Sequence, residues 1–119
     1  MDFSKPNRFR VQEDKLKKIY LEQNEICAYC RKTVNGHDII EGRRDWWTIE
    51  HLDNTDNRDL LYWKDGVTGV KEEDLAICCW SCNSSRGKKI LSVWFQRKNI
   101  DERKVAERVK KYIEKTRIG

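Results

Sequence analysis

Four of the five cysteines form two pairs that share one spacing. Cys27 and Cys30 make the first pair, and Cys79 and Cys82 make the second. A spacer of two residues lets both sulfurs of a tight turn face one point about 2.3 Å away, and four thiolates complete the tetrahedral coordination of Zn²⁺. The doubled spacing therefore predicts one structural zinc ion that joins two distant segments of the chain.

The fifth cysteine, Cys78, directly precedes the second pair. It is an alternative ligand to Cys79, because a three-residue spacer to Cys82 is also tolerated at zinc sites. We assign the ligand to Cys79 and interpret Cys78 as a small buried strand residue, a common role for a free cysteine. A disulfide framework is less favoured, since the chain shows no signal peptide and a reducing cytosol would not maintain disulfides. We accordingly expect a cytoplasmic protein.

A further set of polar side chains lies between and after the cysteine pairs. Glu50 and His51 are adjacent at the end of the run 46–51, and Asn83 directly follows Cys82. An imidazole, with an ordinary pKa of about 6.5, is suited to accept a proton from water near neutral pH. One carboxylate and one amide are oxygen ligands of the kind that Mg²⁺ and Mn²⁺ take. Each residue also has an ordinary explanation: Glu50–His51 as a surface pair at a strand end, and Asn83 as a helix cap.

A basic turn follows Asn83. Arg86, Lys88 and Lys89 surround Gly87, whose lack of a side chain permits close approach of the backbone to a ligand. Cations in such a turn are generic candidates for contacts with DNA phosphates. With 25 Lys and Arg against 20 Asp and Glu, the net charge is +5. That charge is compatible with a polyanionic partner and equally with ordinary solvated faces.

The elements that must position these residues follow from the hydrophobic pattern. The run 46–51 is dense in aromatic and β-branched residues and predicts a strand, and 75–78 predicts a second strand antiparallel to it. Adjacent strand residues point to opposite faces, so Glu50 and His51 reach one site only where the strand bends or ends. Residues 52–73 are predicted to form a long loop. Helices are predicted at 11–23, from 83 to 87, at 90–98 and at 101–116, the last with Asp101 as its N-cap.

The length of 119 residues suits one domain, and a zinc ion would add stability that a modest core lacks. Residues 1–10 are predicted to be a flexible basic arm, and 11–119 a single domain. No apolar run approaches the roughly twenty residues that a membrane span needs, so we expect no membrane partner.

The motifs follow a definite order: Cys-x-x-Cys, a strand that ends in Glu-His, a loop, a short strand, and Cys-x-x-Cys-Asn followed by Arg-Gly-Lys-Lys. This combination, which covers residues 26–89, resembles the HNH endonucleases of the zinc-stapled ββα-metal class. The resemblance implies an α+β fold, in which a small HNH-like nuclease domain has flanking helices. It also implies that the structural zinc is held by Cys27, Cys30, Cys79 and Cys82.

The resemblance further implies a role for each polar residue of the set. His51 corresponds to the general base, while Asn83 and Glu50 correspond to ligands of a catalytic Mg²⁺ or Mn²⁺, with Glu50 in place of the family's usual Asp. The middle position of the motif, usually Asn, falls on Asp74, whose side chain would support the loop that presents the histidine. An Asp accepts hydrogen bonds but cannot donate them, so this position departs from the family pattern.

The implied function is a metal-dependent endonuclease that hydrolyses DNA phosphodiester bonds. Nicking or weakly specific cleavage is expected, because the chain has little room for a separate sequence-reading domain, and a protein partner could supply specificity. Two alternatives stay open. One is a non-catalytic zinc-binding nucleic-acid module, which the departure at Asp74 keeps open, and the other is an interaction domain whose basic helices bind a protein.

Overall fold

The computed structural model of the chain describes residues 3–4, 11–36, 44–53 and 72–117. Within these residues the chain forms four helices and one two-stranded sheet, so the expected α+β class is confirmed. None of the helices in these ranges is long and apolar enough to cross a membrane. The elements, in chain order, are α1 (Glu13–Glu22), β1 (Trp47–His51), a short 3-10 helix (Glu72–Asp74), β2 (Leu75–Cys79), α2 (Trp80–Arg86), α3 (Leu91–Lys98) and α4 (Glu107–Arg117).

The sheet is an antiparallel ladder of β1 and β2. Its register sets Trp47 opposite Cys79 and His51 opposite Leu75. Nearly all residues of both strands are buried, because α1 packs against β2 and α2 packs against both strands. The ladder therefore has two ends, which we call the cysteine end, at Trp47 and Cys79, and the histidine end, at His51 and Leu75. Four residue steps of about 3.3 Å separate them.

The side chain of Gln23, which follows α1, supplies hydrogen-bond partners to the backbone of β2. Leu16 and Ile19 form the buried stripe of α1, and Gln23, which follows its last turn, is buried as well. The Gln23 amide donates to the carbonyl of Ile77 at 2.7 Å and accepts from the Ile77 N–H at 2.9 Å. One side chain thus binds both backbone groups of a buried β2 residue. The Ile77 carbonyl also accepts from the backbone N–H of Ala28 at 3.0 Å, so it is loss of the bond to the Ile77 N–H that would cost about 1–3 kcal/mol.

Phe3 is an exception to the predicted flexible arm. Its ring is 2% exposed and packs edge-on against Trp47 and Tyr20, with ring centroids 4.8 Å and 5.4 Å apart. Phe3 therefore belongs to the hydrophobic core of the described residues, although it lies in the segment predicted as an arm. The remaining residues of the predicted arm, 1–2 and 5–10, lie outside the described residues.

The last helix begins later than its predicted N-cap. Asp101 accepts from the backbone N–H of Arg103 at 2.9 Å, but the chain continues in turns and α4 begins only at Glu107. Just before it, the buried Ala106 donates its backbone N–H to the carbonyl of Ala28 at 2.8 Å. The predicted start at Asp101 is therefore wrong, because this tertiary contact outweighs a local capping preference.

Candidate metal centre and candidate catalytic site

The four paired cysteines converge at the cysteine end of the ladder. Their sulfur atoms all lie within 4.8 Å of one another, and those of Cys30 and Cys79 are 3.9 Å apart. Four sulfurs about 2.3 Å from a central ion lie about 3.8 Å from one another, so these distances fit a tetrahedral site. The four residues can therefore hold a metal ion such as Zn²⁺, as their spacing predicted.

Backbone amides hold these sulfurs in place. The Cys27 sulfur accepts from the N–H groups of Tyr29 and Cys79, and the Cys79 sulfur accepts from that of Cys82, each at 3.4 Å. Such bonds favour the thiolate form that binds metal. Because the Cys79 sulfur is also the N-cap of α2, this helix begins at Trp80 rather than near residue 83.

The close sulfurs shift one another's protonation. A hydrogen bond with Cys27 is the largest cause that lowers the pKa of Cys79, to about 7, and it is also the largest cause that lowers the pKa of Cys30. The pKa values of Cys27 and Cys82 are raised, chiefly by hydrogen bonds with Cys30 and Cys27 respectively. Thiolates at these distances repel one another unless a cation lies between them, and a Zn²⁺ ion meets that condition.

Cys78 lies outside this cluster. Its thiol is buried 3.5 Å from the hydroxyl oxygen of Thr48, and burial raises its pKa well above the ordinary value. The sulfurs that converge are those of the other four cysteines. The cluster therefore includes Cys79, and Cys78 is a buried residue of β2; the assignment of Cys79 as a zinc ligand stays a prediction.

Glu50 is buried at the histidine end, with 1% of the residue exposed. Its Oε2 accepts from the Tyr29 hydroxyl at 2.8 Å and from Arg86 at 3.3 Å, and its Oε1 accepts from the backbone N–H of His51 at 3.0 Å. Burial raises the pKa of Glu50, while Arg86 and Tyr29 oppose that shift. A buried carboxylate with three donors does not present an open position to a cation, so the structure does not place Glu50 as a metal ligand.

Arg86 is the centre of the same cluster rather than a surface cation. Besides Glu50, its guanidinium donates to the carbonyls of His51, Leu52 and Lys89, each at 2.9 Å. Only 3% of the residue is exposed. The prediction that Arg86 contacts DNA phosphates is therefore wrong for this structure, since every nitrogen of the fork is directed into the protein. Its role is to fasten the end of β1 to the turn after α2.

His51 is the last residue of β1, and bends at Leu52 and Asp53 follow it. The sequence required such a strand end if Glu50 and His51 were to share a site. Their hydrogen bond joins the carboxylate to the His51 backbone N–H, while Arg86 holds the His51 carbonyl. The residue is 4% exposed. Hydrogen bonds thus hold both the backbone N–H and the backbone carbonyl of His51.

Asn83 faces β1 from one turn earlier on α2 than Arg86. Its amide nitrogen donates to the Thr48 hydroxyl at 3.0 Å and to the Ile49 carbonyl at 3.3 Å. The Asn83 side chain therefore contacts β1, the strand that carries Glu50. Asn83 and Arg86 are three residues apart and lie on one face of α2. They contact Thr48 and Glu50, which lie on one face of β1.

Asp74 reaches the histidine end through its backbone. Its carbonyl accepts from the N–H of Leu52 at 2.8 Å, which fixes the bend directly after His51. Its side chain instead accepts from Lys115 of α4 at 2.7 Å. The support that the resemblance assigned to this side chain is thus provided by the main chain.

Lys88 and Lys89 lie on the exposed turn after α2. The turn depends on Gly87, whose φ of +54° is unfavourable for residues with a side chain. Lys89 donates to the Ser85 carbonyl at 3.1 Å. Both ammonium groups stay near the surface, so contacts of these two lysines with phosphates stay a prediction.

Two residues that contact the predicted site residues were not predicted from the sequence: Tyr29, the partner of Glu50, and Thr48, the partner of Asn83. Thr48 could have been found, because strand alternation puts it on the face of Glu50, and helical spacing puts Asn83 and Arg86 on one face of α2. Tyr29 lies inside the first Cys-x-x-Cys turn. No local signal marks it, since its partner belongs to another segment.

Comparison with known proteins found no matching family model, no matching curated protein and no matching solved structure. The fold and the site define a small α+β protein with a four-cysteine cluster that can hold a metal ion.

Proposed function

We propose that the protein is a metal-dependent HNH-type endonuclease that hydrolyses phosphodiester bonds in DNA. The observation that carries the proposal is the histidine end, where the buried pair of Glu50 and Arg86 holds the backbone of His51. A buried ion pair adds little net stability, because desolvation of the two charges offsets their attraction. Such a cluster at one strand end is better explained by a task for His51 than by the needs of the fold.

The order of the elements supports the same proposal. Among the described elements, β1, β2 and α2 occur in this order, with the short 3-10 helix between the two strands. The cysteine cluster lies at one end of this unit and His51 at the other. A zinc knuckle alone would require neither a histidine at the far end nor Asn83 against β1. This ββα order is what the resemblance to the ββα-metal class implies.

His51 is proposed as the general base that takes a proton from the attacking water. An imidazole in this role contributes on the order of 10²–10⁴ in rate. Glu50 and Arg86 are positioning residues, because they hold the His51 backbone from both sides. At 4% exposure, His51 reaches a water only if the strand end opens when DNA binds.

A catalytic Mg²⁺ or Mn²⁺ would offset the charge that develops on the phosphate. Of its two predicted ligands, Asn83 fits this role, because β1 holds the amide nitrogen and the oxygen is the atom that a cation would contact. Glu50 does not fit as it is placed. Water and substrate phosphate would fill the other positions, as is usual for Mg²⁺.

A plasmid-nicking assay with Mg²⁺ or Mn²⁺ tests the proposal. The wild-type protein is expected to nick, and His51→Ala to lose at least about 100-fold in rate with unchanged zinc content and thermal melting. Lys17→Ala is the matched control, since this lysine is exposed on α1, where it pairs with Glu13 at 3.2 Å. A His51→Ala variant that cleaves like wild type would refute the assignment.

A non-catalytic zinc-binding nucleic-acid module is the second candidate. The burial of Glu50 favours it, since that carboxylate is committed to Tyr29 and Arg86. Such a module would bind DNA with an affinity that falls steeply with salt, because phosphate contacts release counterions. Salt-sensitive binding without cleavage under either metal would select this candidate over the nuclease.

A further inference from the structure

A groove of about 350 Å³ opens beside the histidine end of the ladder. Three segments meet there: the bend after β1, the turn and helix start after α2, and the last turns of α4. The described residues that the argument uses are Asp53, Lys88, Lys89, Ile90, Tyr112 and Arg117.

The charge of this groove suits a phosphate chain. Lys88, Lys89 and Arg117 are exposed cations on its lining, and Asp53 is the single carboxylate among the described lining residues. Arg117 donates to both oxygens of Glu102, at 2.9 Å and 2.8 Å. Because that pair is exposed, it contributes little stability, and a phosphate can replace the Glu102 carboxylate.

The groove also contains apolar and aromatic surface. Tyr112 is half-buried on its lining, and Ile90 is exposed there. Desolvation raises the pKa of Tyr112, and the Asp53 carboxylate raises it further. A ring of this kind beside several cations is the combination by which proteins bind single nucleic-acid strands.

The size of the groove favours a single nucleic-acid strand over a duplex as its ligand. At about 30 Å³ for each water, it holds about a dozen waters, the scale of one nucleotide. Bases in an intact duplex are stacked on one another and reach such a groove only when they are flipped out. An unpaired strand presents its bases without that energetic penalty.

We propose that this groove binds one nucleotide of an unpaired strand, so that the substrate is single-stranded or branched DNA rather than intact duplex. Phosphates would contact Lys88, Lys89 and Arg117, while the base packs on Tyr112. The inference rests on the proposed nuclease function, because it places the bound strand next to His51. It does not depend on cleavage for its test.

The test is fluorescence anisotropy with the zinc-loaded full chain and no added Mg²⁺ or Mn²⁺. The probes are a labelled strand of about twelve thymidines and a duplex of the same length, a length within the usual range for such sites. The single strand is expected to bind at least about tenfold more tightly than the duplex at one salt concentration. Tyr112→Leu should weaken single-strand binding by about five- to a hundred-fold and duplex binding much less, while Tyr112→Phe keeps the ring and the affinity.

Tyr112 is partly buried, so a substitution there can also disturb the core. A second variant avoids this problem. The double variant Lys88→Ala/Lys89→Ala changes only exposed residues and should reduce the salt slope for the single strand by about 1.4, or 0.7 for each lost contact. Lys17→Ala should leave that slope unchanged. Equal or tighter binding of the duplex, or a salt slope that the double variant does not change, would overturn the inference.

The outcomes also separate this inference from the proposed function. A protein that nicks plasmid DNA but shows no preference for the single strand would retain the nuclease proposal and refute the groove. A protein that prefers the single strand through Tyr112 yet cleaves nothing with either metal would refute the nuclease and support the groove as a binding site.

Discussion

The two ends of the β1–β2 ladder carry two polar clusters that balance their charge in opposite ways. At the cysteine end, four sulfurs lie within 4.8 Å of one another, and all of them become negative when they lose a proton. At the histidine end, the Glu50 carboxylate lies 3.3 Å from the guanidinium of Arg86. The side chains of the cluster at the histidine end therefore carry both signs of charge, whereas the four clustered cysteines carry only one.

We expect this difference to separate the effects of the zinc that the cysteines can hold from those of the proposed catalytic metal. The cysteine cluster is complete only with a cation from outside, and metal binding of this kind is folding free energy. The cluster of Glu50 and Arg86 is complete without a cation. We therefore expect zinc to determine stability, and Mg²⁺ or Mn²⁺ to affect cleavage with little effect on stability.

The largest expected effect is loss of the fold when a zinc ligand is removed. Structural zinc contributes roughly 10–16 kcal/mol in small peptides, which equals or exceeds the roughly 5–15 kcal/mol of stability of a typical domain. Cys82→Ala should therefore lack bound zinc and lose cooperative unfolding. Elemental analysis and near-ultraviolet circular dichroism measure the two properties.

Cys78→Ala is the matched control for that experiment. Cys78 is buried next to the ligand Cys79 but lies outside the cluster, so its truncation should cost only about 1 kcal/mol and leave one zinc per chain. A zinc-free Cys82→Ala protein with an intact fold would contradict the comparison, because the cysteine end would then need no cation.

The second effect concerns the histidine end. Arg86→Ala leaves the Glu50 carboxylate buried without its cation, and breaking a buried pair in this way costs about 3–5 kcal/mol. Zinc content should stay at one per chain, since the two ends do not share ligands. Urea unfolding followed by tryptophan fluorescence measures the loss.

Lys88→Ala is the control, because it removes a cation from the same turn at an exposed position. Its effect should stay within about 0.5 kcal/mol. Equal effects of the Lys88 and Arg86 variants would mean that Arg86 is a surface cation, as the sequence had suggested.

The two ends also differ in how far they could be predicted. The zinc site could be derived because each Cys-x-x-Cys geometry is encoded within one short turn. The strands and the helix at 90–98 followed in the same way from local periodicity. The roles of Glu50 and Arg86 could not be derived, because a buried and an exposed arginine have the same local sequence. The packing of α2 on β1 decides whether Arg86 is buried or exposed.

The start of the last helix shows the same limit. Asp101 has the chemistry of an N-cap and does bind a backbone N–H two residues on, yet the helix starts later. The deciding contact joins Ala106 to Ala28 across the fold. A preference of about 1 kcal/mol at a cap is easily outweighed by such tertiary contacts.

A smaller effect is expected from Glu50→Asp, which tests whether this carboxylate positions His51 or binds a metal. Asp is one methylene shorter and should withdraw from the Tyr29 hydroxyl, a hydrogen bond to a charged group worth about 1.5–3 kcal/mol. We therefore expect Glu50→Asp to lose about this much stability and to cleave DNA more slowly. Tyr29→Phe is the companion variant, because it removes the same donor and leaves the carboxylate unchanged.

The result would be opposite if Glu50 were a metal ligand. Asp keeps the charge and the ligand type, so Glu50→Asp would then retain cleavage and respond to metal concentration. Urea unfolding and plasmid nicking of the two variants distinguish these outcomes.

The smallest effect is expected at Asp74, where the resemblance assigned a supporting side chain and the structure shows a supporting carbonyl. Asp74→Asn keeps the backbone bond to Leu52 and removes one charge from the pair with Lys115. Partly exposed pairs contribute about 0–1 kcal/mol, so stability should fall by less than about 1 kcal/mol and cleavage should not change. Lys115→Ala should cost somewhat more, because the Lys115 ammonium also pairs with Glu73 at 3.5 Å and lies 5.4 Å from the ring centroid of Tyr112. The double variant should lose less than the sum of both effects, because the two residues share one interaction. If Asp74→Asn alters the rate of nicking while Lys115→Ala does not, the Asp74 side chain rather than its carbonyl supports the histidine end.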